Sequence, residues 1–248
     1  MKNYIKITNT IKPFKKKISI EGDKSLSIRW ALLASQATGN SKSFNLLKSE
    51  DVLNTLKCLK QLGVKVKIYQ NYCEIIGLGL NGFKYNKNII LNAGNSGTLG
   101  RLIMGLLIHS KTDVKIIGDK SLSKRDFLRV TKPLKLFGAK FKTNSGKLPI
   151  IVKGTDSAKP VNYYESKGSA QCKSSVMLAT LNTKGSTTIK AKKSRNHTEL
   201  LFKYLDLPIK IKKKKNYDLI KIVGQKKFKS FNYKIPSDIS SSAFFIVL

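Results

Sequence analysis

The sequence predicts an α/β fold assembled from repeated units. Three observations carry this: a segment that recurs about every 72 residues, a second helix-like segment inside each complete copy, and β-branched stretches between the helices. The recurring segments are GDKSLSIRWALLAS from Gly22, GNSGTLGRLIMGLL from Gly94, GSAQCKSSVMLATL from Gly168 and SDISSSAFFIVL from Ser237. Each is a Gly, Asn or Ser turn running into a helix of small and apolar residues. With Ser25, Ser96, Ser169 and Ser240 as equivalent positions, the spacings are 71, 73 and 71.

The second helices begin at Ser49 (SEDVLNTLKCLKQLGVKVKI), Ser123 (SKRDFLRVTKPLKLFGAKFKT) and Ser194 (SRNHTELLFKYLDLPIKIKK). Each has a Ser as the expected cap, apolar residues at helical spacing, and a short alternating strand after it. The stretches YCEIIGLG, KIIGDK, LPIIVKG, TTIKAKK and DLIKIVG are β-branched and bounded by Gly, Lys or Pro, as strands are. The fourth copy reaches Leu248 inside its first helix, on the apolar run Phe244 to Leu248, which reads as a truncated sequence with a further domain of similar units to follow.

The 248 residues carry 48 Lys and Arg against 14 Asp and Glu, a formal net charge of +34, with 41% hydrophobic residues, enough for a core. Such a charge raises nucleic-acid binding first. The cations, however, are 43 Lys and 5 Arg, and they are placed differently. Lys is spread along the whole chain, which reads as solvated faces. Arg29, Arg101, Arg125, Arg129 and Arg195 sit in or beside the polar turns, where a guanidinium can bind carboxylate or phosphate bidentately and an ammonium cannot. No apolar run approaches the roughly 18 residues of a membrane span, and no export leader is evident. Cys58, Cys73 and Cys172 form no CxxC pair and read as reduced packing thiols, so a cytoplasmic location is expected.

Each polar turn precedes a helix, whose free N–H groups and positive dipole end favour an anion. Lys24 and Arg29 join the first turn, Arg101 the second, Gln171 and Lys173 the third, and Arg125 and Arg195 enter at the second helices. If these helix starts converge, they make a site with several cations and almost no carboxylate, suited to a small polyanion or to two anions side by side. One such turn alone is more often an ordinary cap; four in register favour a site. GNSGTLGRL is neither a dinucleotide nor a Walker motif. His109 and His197 lack partners at ligand spacing, so no metal is expected. Cys172 lacks an evident base and reads as packing.

GDKSLSIR, GNSGTLGR, SLSKRDFLRV, SAQCKSSVMLATLNTKG, SRNHTE and PSDISSSAFF, in this order, closely resemble the motifs of the EPSP synthase (3-phosphoshikimate 1-carboxyvinyltransferase) family. The resemblance implies two similar domains, each of three β-α-β-α-β-β units about a pseudo-threefold axis. Residues 1–17 would be a strand of the other domain, 18–231 one substrate-binding domain, and 232–248 the start of the second domain, most of which is missing. It also implies transfer of an enolpyruvyl group from phosphoenolpyruvate to the 5-hydroxyl of shikimate 3-phosphate, with no cofactor or metal, by a protein that is monomeric when full length. Lys24 would touch both substrates and is the catalytic candidate. Ser25, Arg29, Ser169, Ala170, Gln171 and Arg195 would hold shikimate 3-phosphate; Gly97, Arg125 and Gln171 would hold phosphoenolpyruvate.

Two departures stand out. Ser169-Ala170-Gln171 replaces the Ser-Ser-Gln of many members and resembles the subgroup called class II, known for glyphosate tolerance, whereas Gly97 matches glyphosate-sensitive members. Sensitivity is the expectation. The family's general acid/base Asp and Glu and two further phosphoenolpyruvate-binding Arg belong to the second domain, so the chain alone is expected to be inactive. The alternatives are the related transferase acting on UDP-N-acetylglucosamine, disfavoured by the GDKS turn with Arg29 and the SAQ turn, and a Lys-rich nucleic-acid-binding protein, for which no RNP-like, zinc or helix-turn-helix pattern is present.

Overall fold

The structure, a computed structural model, describes residue 15 and residues 17–246. The strand expected at 1–17 therefore lies, but for residues 15 and 17, outside the described residues.

The first unit contains α1 (Lys24–Gln36), β1 (Thr38–Phe44), α2 (Glu50–Gln61), β2 (Lys65–Ile68) and β3 (Tyr72–Leu78). The second contains β4 (Ile89–Asn92), α3 (Gly97–Leu106), β5 (Val114–Ile117), α4 (Lys120–Ser123), α5 (Leu128–Lys135), β6 (Lys140–Asn144) and β7 (Lys147–Lys153). The third contains β8 (Asn162–Glu165), α6 (Ala170–Leu181), β9 (Ser186–Lys192), α7 (His197–Tyr204), β10 (Ile209–Lys213) and β11 (Tyr217–Val223). β12 (Asn232–Lys234) and α8 (Ile239–Ile246) follow.

The strands form three four-stranded sheets, ordered β12-β1-β3-β2, β4-β5-β7-β6 and β8-β9-β11-β10. In every sheet the first pair is parallel and the other two are antiparallel. β12 thus fills, in the first sheet, the place of β4 and β8 in the others. Its register is Lys42↔Asn232, Ser43↔Tyr233 and Phe44↔Lys234. The expected boundary after residue 231 accordingly falls inside a paired segment. Thr38 N–H donates to Phe228 O at 3.0 Å, Lys42 N–H to Phe231 O at 3.1 Å and Ile235 N–H to Phe44 O at 2.9 Å. Without this segment the outer edge of β1 would carry unpaired N–H and C=O groups.

Alternation explains where the abundant lysines go. In β7, Leu148, Ile150 and Val152 are buried while Lys147 and Lys153 are exposed; in β9, Thr187, Ile189 and Ala191 are buried while Lys190 and Lys192 are exposed.

The helices that open the units, α1, α3 and α6, are buried almost all round; in α1 every residue from Leu26 to Gln36 is buried. Their small residues allow close approach. A Cβ on Gly105 would lie 2.3 Å from the Ser175 carbonyl oxygen, so α3 meets α6 backbone to backbone. Hydrogen bonds keep the helices in register: Ser175 Oγ donates to Arg101 O at 3.0 Å, Asn182 Nδ2 to Gln36 Oε1 at 3.3 Å, and His109 Nε2 lies 3.3 Å from Thr183 Oγ1. The partners are 74 residues apart between α3 and α6 and 146 apart between α1 and α6. The α3–α6 offset is the same near both ends, and the α1–α6 offset shifts only from 145 at Arg29–Ser174 to 146 at Gln36–Asn182, so the three run parallel and their N-termini share one end of the molecule.

The side chains that cap these helices sharpen the repeat. Asp23 Oδ1 accepts Leu26 N–H at 2.6 Å, Ser96 Oγ accepts Leu99 N–H at 3.2 Å, and Ser169 Oγ accepts Cys172 N–H at 3.3 Å. Both intervals are 73 residues, so the first-unit equivalent of Ser96 and Ser169 is Asp23 and not Ser25. The expected serine caps of the second helices also fail. Ser49 precedes α2 without a capping bond, Ser123 ends the short α4, and Ser194 lies before Asn196, the residue that flanks α7. Acidic side chains serve instead: Glu50 and Asp51 in the first turn of α2, Glu199 in that of α7, and Asp126, whose Oδ1 accepts Leu128 N–H at 2.7 Å ahead of α5. The fourth copy does begin a helix, α8, with Asp238 Oδ1 accepting Ser240 N–H at 2.8 Å.

Candidate active site

Parallel α1, α3 and α6 deliver their first turns to one face. Two polar joints stitch that face together.

The first joint centres on Arg29, which is 3% exposed. Its Nε donates to Thr198 Oγ1 at 2.9 Å, its Nη2 to Ser174 Oγ at 3.1 Å, and its Nη1 to both the carbonyl and the hydroxyl of Ser25. The Thr198 hydroxyl donates to Ser174 Oγ at 2.7 Å. One guanidinium therefore ties α1 to α6 and α7. Burial lowers its pKa to about 10; the carboxylates of Glu199 and Asp23 oppose that shift and Arg195 adds to it. Arg29 remains a cation at neutral pH, and the exposed Arg195 supplies a second positive charge beside it.

The second joint centres on Arg101 and Gln171. Arg101 Nη1 donates to Gln171 Oε1 at 2.8 Å, its Nη2 to Asp126 O at 3.1 Å, and its guanidinium lies 4.9 Å from the Phe127 ring centre. Gln171 Nε2 donates in turn to Thr98 Oγ1 at 3.1 Å. Gly97 faces two guanidinium groups: a Cβ there would stand 2.8 Å from Arg101 Nη1 and 3.2 Å from Arg125 Nη1. Arg125 Nη2 donates to Asn95 Oδ1 at 3.0 Å, and Asn95 Nδ2 to Asp119 Oδ2 at 2.6 Å.

Gln171 and Ser174 stand one turn apart on α6, so the two joints are continuous. Among the residues expected from sequence, the structure joins Ser25 to Arg29, sets Gly97 against Arg125, and links Gln171 to the second unit. Lys24 Nζ lies 3.0 Å from Asp51 Oδ2, half-exposed at the rim. Ser169 caps α6, with Ala170 as its first residue, and Ser169 N–H donates to Glu165 Oε2 at 2.9 Å.

The expectation of a site almost free of carboxylate is corrected. Asp23, Asp51, Asp119, Asp126, Glu165 and Glu199 all border it, yet each is engaged by a backbone N–H or a cation. Ser174, Thr198 and Glu199 are site members that sequence reading did not name, whereas Arg101 and Lys173 were named beside the second and third turns without their partners. Arg101 had a visible signal, as one of only five arginines. Ser174 and Thr198 had none, since their partner lies far away in the chain. Burial, and then Arg29, pulls the pKa of His197 down, so its ring is neutral at pH 7; burial pushes the Cys172 thiol up, away from a nucleophilic thiolate. Among the described residues, no three His, Cys, Asp or Glu side chains gather as a metal site, and no helix is long and apolar enough to cross a membrane.

The sequence model of EPSP synthase (3-phosphoshikimate 1-carboxyvinyltransferase) matches residues 8–248. The chain belongs to the EPSP synthase family. Proteins named 3-phosphoshikimate 1-carboxyvinyltransferase from Vesicomyosocius okutanii subsp. Calyptogena okutanii (strain HA) and Ruthia magnifica subsp. Calyptogena magnifica are 44% identical over 232 residues and 42% identical over 231; each match covers 93% of this chain and 52% of the relative. The solved EPSP synthase of Acinetobacter baumannii aligns with a TM-score of 0.86 at 36% identity, over 94% of this chain and 52% of that one. The chain thus spans about half the length of the EPSP synthases it matches. Its three sheets on a common plan are the fold of those structures, and the match is to this family rather than to the UDP-N-acetylglucosamine transferase weighed above.

Proposed function

We propose that this chain forms one half of the active site of a 3-phosphoshikimate 1-carboxyvinyltransferase and binds shikimate 3-phosphate. The observation that carries the reading is the convergence of Arg29, Arg101 and Arg125 with three helix N-termini on one face, in a member of this family. Such a face offers forked donors and helix-end N–H groups to phosphate and carboxylate.

In the reaction, the 5-hydroxyl gives up its proton to a base as its oxygen bonds to C2 of phosphoenolpyruvate and a proton adds to C3; the C2–O bond to phosphate then breaks and a proton leaves C3, restoring the double bond. Ser25, Arg29, Ser169, Ala170, Gln171 and Arg195 hold shikimate 3-phosphate, the cations meeting its phosphate and the Gln171 amide its hydroxyls. Gly97 and Arg125 receive phosphoenolpyruvate: the missing side chain lets an anion approach the first turn of α3, and the guanidinium offsets its charge. Gln171 lies between the two substrates, anchored by Arg101. Lys24 touches both and is the one group of the set suited to move a proton, with Asp51 holding its ammonium until substrate arrives.

The general acid/base carboxylates belong to the other half of the family's fold, so this chain alone binds without turnover. The chain works as a monomer with its other half, in the cytoplasm. Isothermal titration of the 248-residue chain with shikimate 3-phosphate, alongside a phosphate-release assay, tests the reading. Saturable binding that Arg29→Ala weakens by roughly tenfold or more, with no phosphate release, is expected; full turnover by this chain, or no binding, overturns it.

A further inference from the structure

Lys173 and Glu199 form an ion pair of 2.6 Å with side chains 1% and 4% exposed. Burying two such charges costs more than an exposed pair returns, and apolar residues of like volume often serve stability as well. Stability alone does not explain the pair. Its location does offer a reason. Lys173 immediately precedes Ser174, and Glu199 immediately follows Thr198, the two hydroxyls that grip the Arg29 guanidinium. The pair thus locks together the two backbones, α6 and the first turn of α7, on which that grip depends. With Arg29 it makes a buried group of two cations and one carboxylate, and the second oxygen of Glu199 is buried without a partner.

We propose that Lys173 and Glu199 are positioning residues for the anion site: they hold Ser174 and Thr198 in place around the Arg29 fork, and they leave one buried positive charge for the bound phosphorylated substrate to neutralise. The identity of the ligand rests on the function proposed above; the positioning does not.

The test uses the whole 248-residue chain, labelled with 15N, and three measurements: melting temperature, hydrogen exchange of the Arg29 Nε–H, and titration with shikimate 3-phosphate. In the wild type, this Nε–H should exchange slowly. Lys173→Met/Glu199→Leu removes both charges together and should melt within a few degrees of wild type. It should nevertheless exchange the Arg29 Nε–H, and release shikimate 3-phosphate, about tenfold more readily or beyond, the scale of one lost charged hydrogen bond. A folded double variant with wild-type exchange and wild-type binding overturns the proposal, as does fast exchange in the wild type. Should the double variant unfold, the isosteric Glu199→Gln gives the same readouts below its own melting temperature, with the same outcomes deciding. If wild type shows a protected Nε–H that the variants lose, yet binds no shikimate 3-phosphate, the substrate reading falls and the positioning stands.

Discussion

Arg101 and Gln171, 70 residues apart, share a hydrogen bond of 2.8 Å that joins the first turns of two different units. Gln171 Oε1 accepts that bond while its Nε2 donates to Thr98 Oγ1, so a single amide sets the spacing between α3 and α6 on the functional face. Gln171→Leu leaves a second donor of Arg101 unpaired, beside its already unpartnered Nε. Urea denaturation should register a loss of about 1–3 kcal/mol, the cost of an unsatisfied buried donor. No loss in the midpoint would mean the bond contributes nothing.

Gly97→Ala tests the approach to the two guanidinium groups. The new Cβ meets only the far ends of flexible side chains, so the fold should persist with the melting temperature nearly unchanged. Binding of phosphoenolpyruvate by the full-length enzyme should weaken by about tenfold, the effect of displacing one charged contact. Unaltered affinity for phosphoenolpyruvate would remove Gly97 from the site. The wild-type glycine also leads us to expect inhibition of the intact enzyme by glyphosate below the millimolar range.

Gly105→Ala is the opposite case. Its Cβ would collide with the backbone carbonyl of Ser175, which cannot rotate away. Overpacking of this kind costs about 1–3 kcal/mol, and the rigid partner places this variant at the upper end. A denaturation midpoint equal to wild type would show that α3 and α6 can part without cost.

Stability should fall in mild acid. His109 and His197 are both held below the ordinary value of 6.5, in each case chiefly by burial. The unfolded chain then takes up protons before the folded one does, so the stability these groups give is complete above about pH 7 and is lost as pH drops below 6.5. The carboxylates held low, Glu74 and Asp119, respond only in stronger acid. Melting temperatures measured from pH 8 to 5 should decline below 6.5, and His109→Gln/His197→Gln should flatten that decline; an unchanged slope in the double variant would sink the assignment.

Shortening the chain to residues 1–231 removes β12 and bares an edge of β1, whereas ending at residue 238 keeps it. The shorter form should show loss of hydrogen-exchange protection in β1 and a tendency to self-associate, measurable by light scattering. Equal behaviour of the two forms would make the segment dispensable.

The repeat was legible in the sequence because helix starts must be polar, small and turn-forming, and three such starts recur at a steady interval. The strands were legible from β-branched runs. Register within the first turn was less so: Asp23 and Ser25 both suit a cap, and only the hydrogen bond to Leu26 decides between them. Ser123 suggested one helix, but Asp126 restarts the chain as α5. In the site, Arg29, Arg125 and Gln171 stood out beside the polar turns of a Lys-dominated chain, while Gly97 was named only through the family resemblance. Lys173 was marked only by its place beside the third turn; its burial against Glu199, 26 residues on, needed the structure. Interactions between units depend on how parallel helices meet, and no single stretch of sequence records that.

The pairing of β12 with β1 gives the chain an order of assembly on the ribosome. The sheets of the second and third units draw every strand from nearby sequence, so each can close soon after it emerges. The first sheet cannot. Thr38 waits for Phe228, 190 residues later, and at about 5–20 residues per second that delay is roughly 10–40 s. The earliest of the described strands is therefore the last of them to be covered, and the nascent chain must keep that edge from other partners until residue 228 and those after it have emerged.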